Sequence, residues 1–366
     1  MGMISVDIGE GETHEYAIGI SAGEVIKNVH GRKSGAVAAF VNGEERDMSF
    51  SLDENCKVEP ILGDSEEGLY ILRHSCAHLL AQAVTQLYPD AKPTIGPPIE
   101  HGFYYDFAMD PIGDEELRQI EKRMKDLVKQ NIPIEREELD NESLREIFSS
   151  NPFKLEIMDE KIGHDVGSSA YRQGDFIDLC RGPHISLTSQ LRWFKLTSTS
   201  QAYWRADKDR ESLVRIYGMC YSSKDGLKER ERQIQEAAKR DHKKIGKEMG
   251  LYMINDLIGK GLPVWLPYGE VLKSEIENFA IETEEAYGYD RVTTPVLGKK
   301  ELFETSGHLP HYAEGMYPPM KMDDGDYYLK AMNCPMHHLV FTNSKRSYRD
   351  LPIRIAEYGT VYRNEL

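Results

Sequence analysis

Apolar residues recur at three- and four-residue intervals around the stretch RHSCAHLLAQAV, at Leu72, Cys76, Leu79 and Ala83. That period predicts a helix, and residues four apart share a face of it. His74 and His78 are such a pair, aimed together and away from the apolar stripe. Upstream the pattern is different. ISVDIG and HEYAIGI alternate around GEGET as a hairpin does. SAGEVIKNVH is a short helix behind a Ser N-cap, and AVAAFVNGEERDMSF is strand, Asn42-Gly43 turn and strand, closed by KVEPIL. Strand–strand–helix–strand–strand in residues 1–62 predicts a small grasp-like α/β unit, with GDSEEG as a hinge after it.

Residues 63–223 have their own texture and predict an α+β domain. After the histidine helix comes a Pro/Gly-rich turn and an aromatic strand, KPTIGPPIEHGFYYDF. DEELRQIEKRMKDLVKQN is an amphipathic helix opened by an acidic first turn at Asp114. DFIDLCRGPH, LRWFKLTSTSQAYW and LVRIYGMCYSS read as strands. Residues 224–249 predict one connecting helix. From 250 to 366 a further domain begins, with a long helix running into a short strand that ends at Pro295. The expectation is a multidomain α+β chain.

Composition narrows this. At 366 residues, 40% hydrophobic and 29% charged, the chain reads as globular, in two to four domains. No run has the length of a membrane span, and the acidic N-terminus lacks the basic-then-apolar form of a signal. Val6 stands where a myristoylation signal has Ser or Thr. Five scattered cysteines read as reduced thiols, which suggests a cytoplasmic protein. The net charge of −16 argues against indiscriminate nucleic-acid binding. KERERQIQEAAKRDHKKIGKEMG mixes both signs and reads first as a solvated helix laced with ion pairs.

The second half of the first site is DLCRGPH. A strand delivers Cys180, Gly182-Pro183 turns the chain, and His184 follows. His74, His78, Cys180 and His184 are the residue types a tetrahedral zinc takes. They would equally line a metal-free pocket that positions water or a leaving hydroxyl. Taken singly, each is also an ordinary helix, core or turn residue. The coincidence of two such pairs about a hundred residues apart favours a site.

HxxxH followed by CxxxH resembles the editing domain shared by threonyl- and alanyl-tRNA synthetases. RHSCAHLLAQAV, IGPPIEHGFYYDF, DLCRGPH, AYWRAD and EAAKRDHKKIGKEMGL are similar to bacterial-type threonyl-tRNA synthetases, and so are KAMNCPMHH and LPIRIAEYGTVYRNE. The resemblance runs in order over essentially the whole chain. It implies a TGS domain at 1–62, an editing domain at 63–223 and a class II aminoacylation domain from 250. His74, His78, Cys180 and His184 would be the editing set, generally metal-free in this family and zinc-bound in the alanine relatives. Tyr105, Lys154 and Asp178 would contact the terminal adenosine or the amino acid. Cys334 would be one ligand of a threonine-selecting zinc. Arg363 would clamp the ATP α-phosphate and Glu365 would orient the nucleotide, with Mg²⁺ accompanying ATP. The long helix, strand and Pro295 match the segment that forms the homodimer interface in this class.

The implied activity is ATP-dependent attachment of threonine to tRNA(Thr) through threonyl-adenylate, with hydrolysis of mischarged seryl-tRNA. A missing methyl is worth only about 1–3 kcal/mol, too little to reject serine at the binding step, so a second hydrolytic site is needed. Leu366 follows Glu365 directly, so the expectation is a fragment lacking the rest of the ligase site and the anticodon-binding domain. A stand-alone aminoacyl-tRNA deacylase is the second reading, and a non-catalytic tRNA-binding module the third.

Overall fold

The computed structural model describes residues 2–364 except 10, 11, 32, 33, 162–167 and 260. Near the N-terminus the strands Met3–Asp7 and Thr13–Ala17 pair antiparallel, as the alternation predicts. Helix α1, Ala22–His30, begins at a reciprocal cap between Ser21 and Glu24. Asn42 and Gly43 both have positive φ, 51° and 82°. That is the backbone a two-residue hairpin turn demands, and it joins Ala36–Val41 to Glu44–Arg46. Cys56–Leu62 lies between Met3–Asp7, to which it is parallel, and Ala36–Val41, to which it is antiparallel. Val25 and Ile26 of α1 pack with Ile4, Val6, Val41 and Leu52 beneath this five-stranded sheet.

Helix α2, Glu66–Leu87, is capped by Ser65, whose hydroxyl accepts from the Gly68 amide at 3.0 Å. The stretch GDSEEG is therefore mostly a helix start rather than the expected hinge. A Cβ on Gly68 would lie 1.8 Å from the Leu62 carbonyl oxygen, so the helix leaves the last strand by direct backbone packing. The middle of α2 is buried on every side, at Ile71, Ser75, Cys76, His78, Leu79 and Leu80 among others. The sequence pattern predicts a single apolar stripe with the histidines facing away from it. The physical reason for the difference is that three layers converge on α2. Val37, Ala38 and Ile61 of the N-terminal sheet share its core. So do Phe103 and Phe107 of the strand Gly102–Ala108, which pairs with Ser212–Tyr221 and through it with Trp193–Tyr203. Helix α3, Asp114–Gln130, adds Ile120, Met124 and Leu127.

A second, three-stranded sheet, Ile134–Leu139, Ser168–Gln173 and Phe176–Leu179, carries the short helices α4 (Asn141–Ile147) and α5 (Pro152–Lys161) beside it. The stretch expected as one connecting helix over 224–249 is two: α6, Lys224–Lys239, and α7, His242–Glu248. The break falls where Asp241 accepts from the amides of Lys243 and Lys244, so its side chain caps a new helix instead of continuing the old one.

The chain divides into two compact units, Met1–Ala238 and Lys239–Leu366. The second unit contains the expected long helix, α8, Pro267–Ala286, and a strand at Asp290–Arg291. That strand pairs in parallel with Ile355–Ala356. A three-stranded antiparallel sheet of Leu297–Lys299, Gly325–Leu329 and Met320–Met322 lies over a small core of Phe303, Met316 and Ala331. The resemblance to class II synthetases implies a hairpin strand around VYRNE, and none forms there among the described residues. Residues 357–364 run without strand pairing, tied by the Tyr362 amide to the Lys330 carbonyl and the Asn364 amide to the Gly315 carbonyl, each at 2.9 Å. No helix among the described residues is long and apolar enough to cross a membrane.

Candidate active site

The first unit holds a cavity of about 580 Å³ lined by His74, His78, Tyr105, Lys154, Asp178 and Cys180 among others. The two histidines come from one face of α2, as their spacing requires. Strand alternation supplies Asp178. Ile177 packs beside α4 in the core with Leu144 and Phe148, and Asp178, the next residue of the strand, faces the other way into the cavity wall. Cys180 follows at the strand end, held by its own amide and carbonyl on Ser169. Gly182 has φ +70°, and a Cβ there would meet the Tyr171 hydroxyl at 1.9 Å, so only glycine lets the chain turn back toward α2. Lys154 rides in the first turn of α5, where the Asn151 side chain accepts from the Phe153 and Lys154 amides.

The two predicted halves meet. The ligand atoms of His74, His78, Cys180 and His184 all lie within 4.8 Å of one another. Cys180 Sγ is 3.3 Å from His74 Nε2 and 3.3 Å from His184 Nε2. The ring centroids of His74 and His78 are each 4.3 Å from that of His184. His184 is fully buried and lies behind the cavity wall rather than in it. The donor set, three imidazoles and a thiol, is one that could hold a zinc-like ion.

Beside it stands a buried charged group. Lys154 Nζ is 2.5 Å from Asp178 Oδ1, and the Tyr105 hydroxyl donates to Asp178 Oδ2 at 2.5 Å. Lys154 also donates to the Tyr105 oxygen at 3.1 Å. His78 Nε2 lies 3.8 Å from Asp178 Oδ2. Both Asp178 oxygens are thus engaged from within the protein, and the Leu179 amide adds to Oδ1. The ammonium has three donors and spends two here, leaving one for the cavity.

Burial sets the protonation states. It pushes His74 down to about 3, with His78 beside it adding to the effect. Burial pushes His78 down to about 4, against the opposing pull of Asp178. His184 falls well below the usual imidazole range for the same first reason. The Cys180 thiol is pushed up to about 12 by burial. Burial alone would raise Asp178, but Lys154 and then His78 bring it below the usual carboxylate range. At neutral pH the cavity therefore presents neutral imidazoles, a thiol and one carboxylate held against Lys154.

Three residues of this site are not visible in the sequence. Asp47, from the N-terminal sheet region, accepts from the His184 amide at 2.7 Å and from the Tyr171 hydroxyl at 2.7 Å. The Tyr171 ring packs edge-on against His184 at 4.4 Å. Ser75 lies within the histidine motif itself, 2.9 Å from His184 Nδ1.

The second unit brings fewer of its predicted residues together. Cys334 is exposed at the start of the helix Cys334–Thr342, and among the described residues no metal-ligand cluster includes it. His337 is paired with Glu357 at 2.8 Å, and Lys330, fully buried, also reaches Glu357 and Thr294. Arg363 is exposed and donates to the Ala331 carbonyl at 3.3 Å. Glu365 lies outside the described residues.

Residues 169–217 match the model of the threonyl and alanyl tRNA synthetase second additional domain. Residues 319–366 match that of the tRNA synthetase class II core domain of the G, H, P, S and T enzymes. The chain is 44% identical to threonine--tRNA ligase 1 of Bacillus subtilis and 44% identical to threonine--tRNA ligase of Staphylococcus carnosus. Both alignments cover 100% of this chain and 57% of the relative. Threonine--tRNA ligase of Thermobifida fusca is 45% identical over 97% of this chain and 56% of its own length. The chain thus spans a little over half the length of the curated relatives it matches.

Proposed function

The chain belongs to the threonyl-tRNA synthetase family, and from that premise we propose that its first unit is a proofreading site that hydrolyses seryl-tRNA. The single observation that carries the reading is the cavity, where His74, His78 and Cys180 converge with the Lys154–Asp178–Tyr105 group. An ester needs a positioned water, a proton acceptor and a donor near the carbonyl oxygen. The His78 imidazole is neutral and stands beside Asp178, whose carboxylate would stabilise the imidazolium as a proton arrives. The oxygen of the water bonds to the ester carbonyl carbon while its proton passes to His78. The bond from that carbon to the ribose oxygen then breaks, and His78 returns the proton to the ribose. The remaining donor of Lys154 serves the carbonyl oxygen. Asp178, with both oxygens engaged, anchors these groups rather than the substrate.

In the same reading, residues 1–62 form a TGS domain, 63–223 the editing domain and 224–249 its connection. Residues 250–366 belong to a class II aminoacylation domain. The whole protein attaches threonine to tRNA(Thr) with ATP and Mg²⁺ in the cytoplasm, as a homodimer. The exposed apolar face of α8, with Tyr268, Val271, Leu272, Ile276 and Phe279, supports the dimer. Arg363 is the residue for the ATP phosphate, since a guanidinium forks onto phosphate oxygens and stays charged. Cys334 would supply one exposed thiol ligand to a zinc, and among the described residues no second ligand stands beside it. The test of the editing role is His78→Ala in this chain. Seryl-tRNA hydrolysis falls at least about 100-fold on this account. Unchanged hydrolysis in the variant rejects it.

A further inference from the structure

His184 is buried behind the cavity wall and cannot touch a substrate held there. Its part must be played through its neighbours, and those neighbours decide where its proton sits. The Ser75 oxygen accepts from the Ile185 amide at 3.2 Å. Its hydroxyl hydrogen then needs an acceptor, and among the described residues that acceptor is His184 Nδ1 at 2.9 Å. A hydroxyl that donates to Nδ1 leaves the imidazole proton on Nε2. That Nε2–H points at Cys180 Sγ, which also accepts from the Gly182 amide at 3.3 Å. With both of those donors on the sulfur, the thiol hydrogen is directed to His74 Nε2, 3.3 Å away. His74 in turn carries its proton on Nδ1.

We propose that Ser75 is a positioning residue that holds His184 as the Nε2–H tautomer, and so orients a donor chain Ser75–His184–Cys180–His74 that ends at the cavity. The opposite tautomer would give Ser75 two donors and strand its own hydrogen in a fully buried site. An unmet buried donor disfavours that arrangement roughly tenfold or more. Asp47 fixes the same residue from its other side, through the His184 backbone amide. Ser75 is the group that sets the ring's tautomer, because Asp47 contacts the backbone amide and not the ring.

The role in hydrolysis rests on the proofreading reading above, whereas the tautomer does not, so the experiment separates them. Long-range proton–nitrogen correlation spectra of this 366-residue chain, labelled with ¹⁵N-histidine, read each imidazole tautomer. The His184 signals are identified by their loss in His184→Gln. The expected wild-type result is Nε2–H for His184 and Nδ1–H for His74. Ser75→Ala gives a mixture at His184 and lowers kcat for seryl-tRNA hydrolysis by about tenfold or more with KM little changed. Ser75→Thr, which keeps the hydroxyl, restores both the tautomer and the rate. Nδ1–H at His184 in the wild-type chain overturns the proposal, whatever the hydrolysis assay gives. The expected tautomers with no hydrolysis by the wild-type chain leave the lock standing and reject the proofreading reading. Should Ser75→Ala not fold, the wild-type spectrum and Ser75→Thr decide.

Discussion

At the residue scale the site is defined by what burial does to titratable groups. His78 would take a proton near pH 6.5 in an unfolded chain, and in the fold only near 4. The sign follows. Between those values the unfolded state binds the extra proton, so stability falls as pH drops from 6.5 toward 4 and is unaffected above 6.5. Over the same range the folded cavity keeps its neutral imidazoles. Seryl-tRNA hydrolysis is therefore expected to be independent of histidine titration from about pH 5 upward and to fall only as pH approaches about 4. A rate profile with a break near pH 6.5 would contradict the buried, neutral pair. The four-residue set was legible in the sequence because each half has a fixed spacing and the two halves resemble one family. Ser75 sits in the same motif, but its role depends on a partner 109 residues away, and no spacing announces that.

At the element scale, the N-terminal hairpin, α1, α2, α3, α8 and the Asn42-Gly43 turn followed from period and turn chemistry. Of the structure's departures from the expectation, one is set by tertiary packing and one by a local cap. Polarity and two glycines made GDSEEG resemble a hinge, yet Gly68 is the point where α2 presses on the Leu62 carbonyl. Gly68→Ala is a direct test of that packing. Alanine's better helix propensity would add about 1 kcal/mol. A Cβ driven into a backbone oxygen costs more, so a net loss of about 1–3 kcal/mol is expected from denaturant unfolding. A gain in stability would restore the hinge. Mixed charge gave 224–249 the look of one helix. Asp241 ended it, because a short acidic side chain can satisfy the amides of a new first turn.

At the scale of the first unit, the N-terminal sheet is a structural part of the candidate site. It shares the α2 core through Val37, Ala38 and Ile61, and it supplies Asp47 to a residue 137 positions away. Burial raises the Asp47 carboxyl despite the donors from His184 and Tyr171, so this is a contact maintained at some cost. Asp47→Ala leaves two buried donors unmet and is expected to cost about 2–4 kcal/mol. It should also slow hydrolysis, since the His184 loop loses its anchor. Hydrogen exchange should show protection falling at His184 and Ile185 together with the strand Ala36–Val41. Loss confined to the N-terminal sheet would mean the two parts are independent. The sequence divided residues 1–62 from 63–223 because composition changes there, and composition carries no information on a core shared across that line.

The measurement that tests the account most directly is hydrolysis of seryl-tRNA against threonyl-tRNA by this 366-residue chain, followed at neutral pH. The account predicts that the serine ester is cleaved, because the cavity and all its functional side chains lie within the first unit, and that the threonine ester is spared, as a proofreading role demands. Equal cleavage of both esters, or none by a chain shown to be folded, would contradict it.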